Sequence, residues 1–228
     1  RIYRVMHDTT RRDPAPALST ATPSQLVETL SHPNGWRRDT AQRLLVERGG
    51  AGPITPQTGA AMSTARDSSG RSDFANAVVP PLLALARTAT DPRTRLHALW
   101  TLDGIDAIDA NTVTFALADP SRDVRASAIR IAERWLGEAG HPIQAAVLKR
   151  LDDPDWNVRQ QLAASLGALP PGPREDAVVA LLERYGDDPI VMDAALSGIR
   201  GSEAAVLDRL IRHTGRQTPR PAAGPRER

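Results

Sequence analysis

The sequence predicts an all-α solenoid of about five helical hairpins, and three observations carry that expectation. A proline-marked turn followed by an arginine-bearing, alanine-rich helix recurs: Asp91-Pro92-Arg93-Thr94-Arg95, Asp119-Pro120-Ser121-Arg122-Asp123-Val124-Arg125 and Asp153-Pro154-Asp155-Trp156-Asn157-Val158-Arg159. Looser copies stand at His32-Pro33 and Asp188-Pro189. Pro120, Pro154 and Pro189 are spaced 34 and 35 residues apart, the length of one hairpin in a repeat array. Only 4% of residues are aromatic while alanine and leucine fill the apolar positions, which suits close helix packing and not sheets. A unit this small cannot bury its apolar face alone, so the copies must stack.

Taken in order, Ile2-Tyr3-Arg4-Val5 alternates apolar and polar residues and predicts a lone strand, the remnant of an upstream domain over 1–7. Residues 8–21 read as a linker. The helical array is expected over 22–213. Thr22-Pro23-Ser24-Gln25 is a capping box with proline at the first helical position, so a helix starts there and runs to about Leu30. Its partner runs from near Trp36 to Arg48. Pro33 and Pro92 are 59 residues apart, 25 more than one period, so a loop insertion is expected across 49–75. The second hairpin pairs Val78–Ala89 with Thr94–Leu102; Pro80 and Pro81 are tolerable only in a first turn, which places the helix start near Val79. The third pairs Asp109–Ala118 with Arg122–Leu136, the fourth Pro142–Leu151 with Trp156–Leu169, the fifth Pro173–Tyr185 with Pro189–Ile199. Ser202 caps one more helix, and 214–228 read as a disordered tail.

Composition narrows function more than it defines it. The chain has 228 residues, no cysteine and a net charge of +2, with 28 of its 29 basic residues arginine. Without cysteine there is no disulfide, thiolate metal site, covalent haem attachment or cysteine nucleophile. No apolar run reaches the roughly 18 residues of a membrane span, and no signal peptide opens the chain. Because it starts at Arg1 without methionine, the sequence reads as an excised segment.

The five histidines His7, His32, His97, His141 and His213 show no metal-ligand spacing, and neither a phosphate loop nor a nucleophile elbow is present. Asp152-Asp153 and Asp187-Asp188 are paired carboxylates in form, but they fall at turns where capping explains them. This chain alone is therefore expected to be no enzyme and to hold no cofactor. Asp119, Arg125, Asp153 and Arg159 are expected to be structural: an arginine of one repeat reaches the carboxylate or carbonyls of its neighbour, a ladder worth about 1 kcal/mol or less per exposed rung. Trp36, Trp100, Trp135 and Trp156 all fall on second helices, where packing between repeats is favoured over a stacking surface for bases or sugars.

Paired helices with an Asp-Pro turn and a Val-Arg start to the second helix resemble HEAT repeats, which implies a right-handed α-solenoid over about 22–213. Two stretches go further. Leu30-Ser31-His32-Pro33-Asn34-Gly35-Trp36-Arg37-Arg38-Asp39-Thr40-Ala41-Gln42-Arg43-Leu44-Leu45 and Arg95-Leu96-His97-Ala98-Leu99-Trp100-Thr101-Leu102-Asp103-Gly104 resemble the HEAT region of secreted haem-binding, dehydrogenase-like proteins of planctomycetes and their relatives. In that family a propeller similar to quinoprotein sugar dehydrogenases precedes the array and a cytochrome c module with a Cys-x-x-Cys-His site follows it; Arg1-Ile2-Tyr3-Arg4-Val5 is similar to the propeller's closing strand. The resemblance implies a connecting scaffold in a periplasmic or secreted dehydrogenase. It carries no catalytic or haem-binding residue onto this chain, which lacks the haem site.

The partner expected is protein, either the chain's own missing domains or another protein, with Trp36, Arg37, Arg38, Arg95, His97 and Trp100 as the candidate contact. A free-standing protein-binding module is the second reading and an arginine-lined nucleic-acid groove the third. No small-molecule substrate is evident.

Overall fold

The computed structural model describes residues 7, 9, 16–49 and 68–217. The strand expected at Ile2–Val5, most of the insertion and the end of the tail lie outside the described residues.

The chain opens with a single turn of 3-10 helix at Leu18–Thr20. Then follow α1 (Pro23–Thr29), α2 (Gly35–Gly49), α3 (Ser68–Thr88), α4 (Pro92–Gly104), α5 (Ala110–Ala116), α6 (Arg122–Leu136), α7 (Pro142–Leu148), α8 (Trp156–Ser165), α9 (Pro173–Tyr185), α10 (Pro189–Ser197) and α11 (Glu203–Gln217). Short 3-10 turns extend α7 over Lys149–Asp152 and α8 over Leu166–Ala168. No strand occurs among the described residues.

Local chemistry sets the helix starts. Thr22 Oγ1 accepts from the Gln25 amide while Gln25 Oε1 accepts from the Thr22 amide, the reciprocal box the sequence predicts. Asp109 Oδ1 caps α5 through Thr112 N at 2.7 Å, and His141 Nδ1 caps α7 through Ile143 N. Pro142 and Pro173 occupy first-turn positions where a missing N–H costs nothing.

The helices pair as hairpins and stack in two layers. Second helices α2, α4, α6, α8 and α10 pack in series, first helices α1, α3, α5 and α7 form the other layer, and α11 packs on α9. Between the layers lies one continuous apolar core, in which Leu26, Leu45, Leu99, Ile129, Leu162 and Leu181 are wholly buried. Each such side chain contributes about 1.5–3 kcal/mol of transfer free energy.

The second hairpin corrects the sequence reading. α3 begins at Ser68, not near Val79, and carries Pro80 and Pro81 in its interior. Each proline removes an amide donor to the carbonyl four residues earlier. Phe74 offsets that loss: it packs on the core and lies against Gly49, so closely that a Cβ on Gly49 would meet its ring at 2.5 Å. The insertion expected over 49–75 is correspondingly shorter, since α2 takes Gly49 and α3 takes everything from Ser68.

At the two ends the bounds also move. Arg48 donates to the carbonyls of Ala21 and Ser19 at 2.6 and 2.8 Å, holding the end of the expected linker on the array. At the other end α11 runs to Gln217, past the expected boundary at 213. No described helix is long and apolar enough to cross a membrane.

Two backbones come close at Gly167 and Gly198, just after α8 and α10. A Cβ on Gly167 would sit 2.8 Å from Gly198 Cα, and the reciprocal Cβ 2.7 Å from Gly167 Cα. Gly167→Ala must push two backbones apart and is expected to destabilise by on the order of 1 kcal/mol. Thermal unfolding by circular dichroism measures it; an unchanged midpoint would show that the two ends separate freely.

Candidate functional site

One column of arginines organises the turns. Aligned on the second helices, Arg38, Arg95, Arg125 and Arg159 occupy the same place, and Met192 replaces them on α10. Each arginine reaches back into its own turn with Nη1: Arg38 donates to His32 O and Pro33 O, Arg95 to Ala89 O and Thr90 O, Arg125 to Asp119 O and Pro120 O, Arg159 to Asp153 O. These bonds tie down carbonyls that the hairpin turn leaves without helical partners.

The rest of the guanidinium faces the next repeat. Arg95 Nε and Nη2 donate to the two carboxylate oxygens of Asp119, both at 2.7 Å, and Arg125 does the same to Asp153 at 2.8 Å. Both carboxylates are buried, with side-chain exposures of 4% and 1%, so these are interior bidentate pairs and not the exposed rungs the sequence suggested. Burial shields them from salt and raises their weight above that of a surface pair. Side-chain hydrogen bonding by Asp153 raises Arg125 above its ordinary value.

The ladder has two gaps. The residue six before the arginine is Asp in the third and fourth repeats but His32, Ala89 and Gly186 in the first, second and fifth. Arg38 therefore faces Ala89 and Arg159 faces Gly186. Nε of each is buried without a hydrogen-bond partner. Arg159 instead lies 4.7 Å from the centre of the Tyr185 ring, a cation–π contact.

The Asp-Pro dipeptide proves to have two registers. Asp91 and Asp188 stand four residues before the arginine column and cap their helices directly, Asp91 through Arg93 N at 2.9 Å and Asp188 through Ile190 N and Val191 N at 3.0 and 3.1 Å. Asp119 and Asp153 stand six before it, brace the turn through Ser121 N and Asp155 N at 2.8 and 3.1 Å, and receive the arginine. The sequence reading expected capping from the Asp-Pro aspartates alike and a ladder role for Asp119 and Asp153 besides. Only the offset from the arginine separates cap from rung.

Of the six candidate contact residues, the structure places Arg38 and Arg95 inside this ladder, both more than nine-tenths buried. His97 and Trp100 are half-buried on α4 and stitch the second-helix layer together: His97 Nδ1 lies 2.6 Å from Gln42 Oε1, and Trp100 Nε1 donates to Ser127 Oγ at 3.3 Å. Arg37 contacts His32 Nε2 at 3.2 Å. Trp36 is 59% exposed, which overturns the packing reading for that tryptophan; Arg93, Asp123 and Ile190, in the same place of their repeats, are exposed too, and Asn157 is half-buried. Trp135 stacks on His141 with ring centres 6.2 Å apart, and Trp156 Nε1 donates to Asp188 Oδ2 at 2.5 Å.

Sequence reasoning missed the remaining seam across the second helices. Arg134 pairs with Asp103 at 2.7 Å and with Asp106, and Glu133 Oε1 accepts from Ser165 Oγ at 2.7 Å. No recurring signal announced it: Asp103, Glu133 and Arg134 stand eight, eight and nine positions after the arginine of their repeats, but Asp106 stands eleven and Ser165 six, and the other repeats place different residues at these offsets. Among the described residues no three His, Asp or Glu side chains gather to hold a metal ion. A hollow of about 660 Å³ is an open groove between α9 and α11 bordered by Asp176, Val179, Ala205 and Arg209. Arg209 there is already paired with Glu175 and Asp176.

Stability depends on pH through His97, Asp188 and Asp91. Burial pushes His97 below the ordinary imidazole value; nearby Arg38 adds to this, while Asp39 and Asp91 oppose it. The unfolded chain then takes up the proton first, so stability falls as pH drops through about 6.5. His97→Gln is expected to flatten that slope, read as the midpoint of thermal unfolding between about pH 7 and about pH 5. The Trp156 indole and the α10 amides hold Asp188 below the usual carboxylate range, as Arg93 holds Asp91. Their stabilisation is complete above about pH 4 and is lost as pH falls through the folded values.

Stacked helical hairpins in two layers, tied through their turns by an arginine column, define an α-solenoid. Residues 111–200, which hold α5 to α10, match the family described as HEAT repeats. That span takes in the third and fourth units, where the resemblance is most specific, and the degenerate fifth. No curated protein matches the chain. Among solved structures, a designed armadillo repeat protein in complex with a (KR)4 peptide shares the fold at TM-score 0.50 and 16% identity, over 85% of this chain and 88% of that one. A second designed armadillo repeat protein gives 0.49 at 16% identity, over 88% and 94%.

Proposed function

We propose that this chain is a noncatalytic protein-binding solenoid which, within a longer polypeptide, connects a propeller resembling quinoprotein sugar dehydrogenases to a cytochrome c module. The observation that carries the binding role is the engagement of its polar side chains with one another. The arginine column, the caps and the second-helix seam use the groups that could do chemistry, and what is left facing solvent is an extended helical surface with Trp36 at its first repeat. The peptide held by the designed armadillo repeat protein supports a protein ligand for this type of surface.

The connecting role rests on the stretches 30–45 and 95–104, which lie in the first two repeats. There Trp36 and Arg37 form the contact with the preceding domain, and Arg38 holds the turn that presents them. Hydroxyl-radical footprinting tests it: Trp36 is expected to be reactive in this segment alone and protected in the intact polypeptide. A complete reading frame that encodes neither a propeller nor a cytochrome module would overturn the connecting role while leaving the binding role standing.

A further inference from the structure

The first gap in the arginine ladder is built differently from the second. Arg38 keeps the geometry of its column: Nη1 donates to His32 O and Pro33 O at 2.7 and 2.9 Å, as Arg95 and Arg125 donate to their own turns. That anchor turns the other edge of the guanidinium on the next repeat, where Arg95 meets Asp119 and Arg125 meets Asp153. Ala89 stands there for Arg38. The side chain is more than nine-tenths buried, and its Nε has no hydrogen-bond partner.

The carboxylates at 119 and 153 take a further donor from the amide two residues on, Ser121 N at 2.8 Å and Asp155 N at 3.1 Å. In the second repeat that amide is Asp91 N. Neighbouring acids are engaged elsewhere. Asp91 caps α4 through Arg93 N and accepts from Arg93 Nε and Nη2 at 3.1 and 2.8 Å, while Asp39 lies exposed, 3.8 Å from His97. The second gap is closed: the Tyr185 ring lies 4.7 Å from the Arg159 guanidinium, and the amide in this register, Asp188 N, donates to Tyr185 O at 3.0 Å.

We propose that the rung between Arg38 and Ala89 binds a carboxylate supplied from outside the ladder, with Arg38 Nε and Nη2 donating to its two oxygens and Asp91 N to one of them. The occupant is defined by the fold itself, because alanine differs from aspartate by one carboxylate group and the same donors hold that group at the next two rungs. The cation is already desolvated in the folded chain, so an incoming anion meets a preformed fork. Two sources share this chemistry: a free one- or two-carbon acid, and the side chain of an acidic residue on a bound protein. The site is independent of the connecting role.

Formate is the probe, because it is a carboxylate without the Cβ that Ala89 supplies. In proton–nitrogen correlation spectra of the arginine side chains, sodium formate exchanged for sodium chloride at constant ionic strength is expected to move the Arg38 Nε–H signal saturably. The dissociation constant is expected to be on the order of 10–100 mM. The Nε–H signals of Arg95, Arg125 and Arg159 are expected to stay, two being held by aspartates and the third lying under Tyr185. Ala89→Asp is expected to abolish the Arg38 response; the comparison with Arg159 within the parent chain decides even where that variant does not fold. A glutamate capped at both ends, so that only its side chain is acidic, identifies a side-chain source if it displaces formate and a free acid if it does not, and either result upholds the site. No movement of Arg38 up to about 0.5 M formate would overturn it, as would a formate response that survives in Ala89→Asp. A linear response shared by several arginines, or an equal shift with chloride, would mean an adventitious ion only and would overturn it too.

Discussion

Asp153→Ala is expected to lower the free energy of unfolding by about 3–5 kcal/mol, while Asp152→Ala, one residue away, changes it by less than about 0.5 kcal/mol. The two carboxylates differ in environment and not in chemistry. Asp152 is 72% exposed and pairs with Arg184 at 3.3 Å across the surface, where solvent and side-chain entropy cancel most of the attraction. Asp153 is 1% exposed and accepts both Nε and Nη2 of Arg125 at 2.8 Å. Removing it leaves a buried guanidinium with two donors unanswered, and it also strips the turn of the Asp155 amide contact. Arg125 would keep only the carbonyls of Asp119 and Pro120. Because α6 and α8 are joined through this rung, the loss is expected to uncouple α8–α10 from the preceding repeats. Denaturant unfolding of the variant would then show two transitions in place of one. A double-mutant cycle with Arg125→Leu apportions the pair; a coupling near zero would show the rung to be ornamental.

Helix existence and pairing were legible because the signals are local. A threonine followed three residues later by glutamine, or a proline after Asp, states its own backbone requirement, and the capping of α1, α4 and α10 follows from it. Pro80 and Pro81 misled because the opposing term is tertiary: Phe74, more than one turn upstream, packs on Gly49 from a different hairpin, and no property of the local sequence announces that contact. The arginine column was legible as a repeat, but its burial was not. A charge count treats Arg95 and Arg93 alike, although one is locked on Asp119 in the interior and the other pairs with Asp91 at the surface. Trp36 erred in the opposite direction. Hydrophobicity argued for packing, while its register, shared with Arg93, Asp123 and Asn157, argued for solvent, and register decided. Position within the repeat carried more information at these sites than residue type did.

Ala89→Asp is expected to stabilise the chain by about 1.5–3 kcal/mol, the range of a hydrogen bond to a charged group, because it completes the first gap in the ladder. Ala89 stands where Asp119 and Asp153 stand, six residues before the arginine of its repeat, and its carbonyl already accepts from Arg95 as theirs do from Arg125 and Arg159. Arg38 is more than nine-tenths buried and its Nε has no partner, so the desolvation cost of that cation is already present in the parent protein. A carboxylate at 89 adds only its own desolvation and gains a preformed fork. The other gap tests whether the argument is about geometry or merely about charge. Gly186 faces Arg159 in the same register, but a Cβ there would sit 2.5 Å from the Leu182 carbonyl, which is backbone and cannot swing away. Gly186→Asp is therefore expected to destabilise although it offers the same charge to the same kind of orphaned arginine. Differential scanning calorimetry of the two variants should move the unfolding midpoint in opposite directions. Arg38→Leu should cost more in the Ala89→Asp background than in the parent; equal costs would mean that the new carboxylate never reaches Arg38.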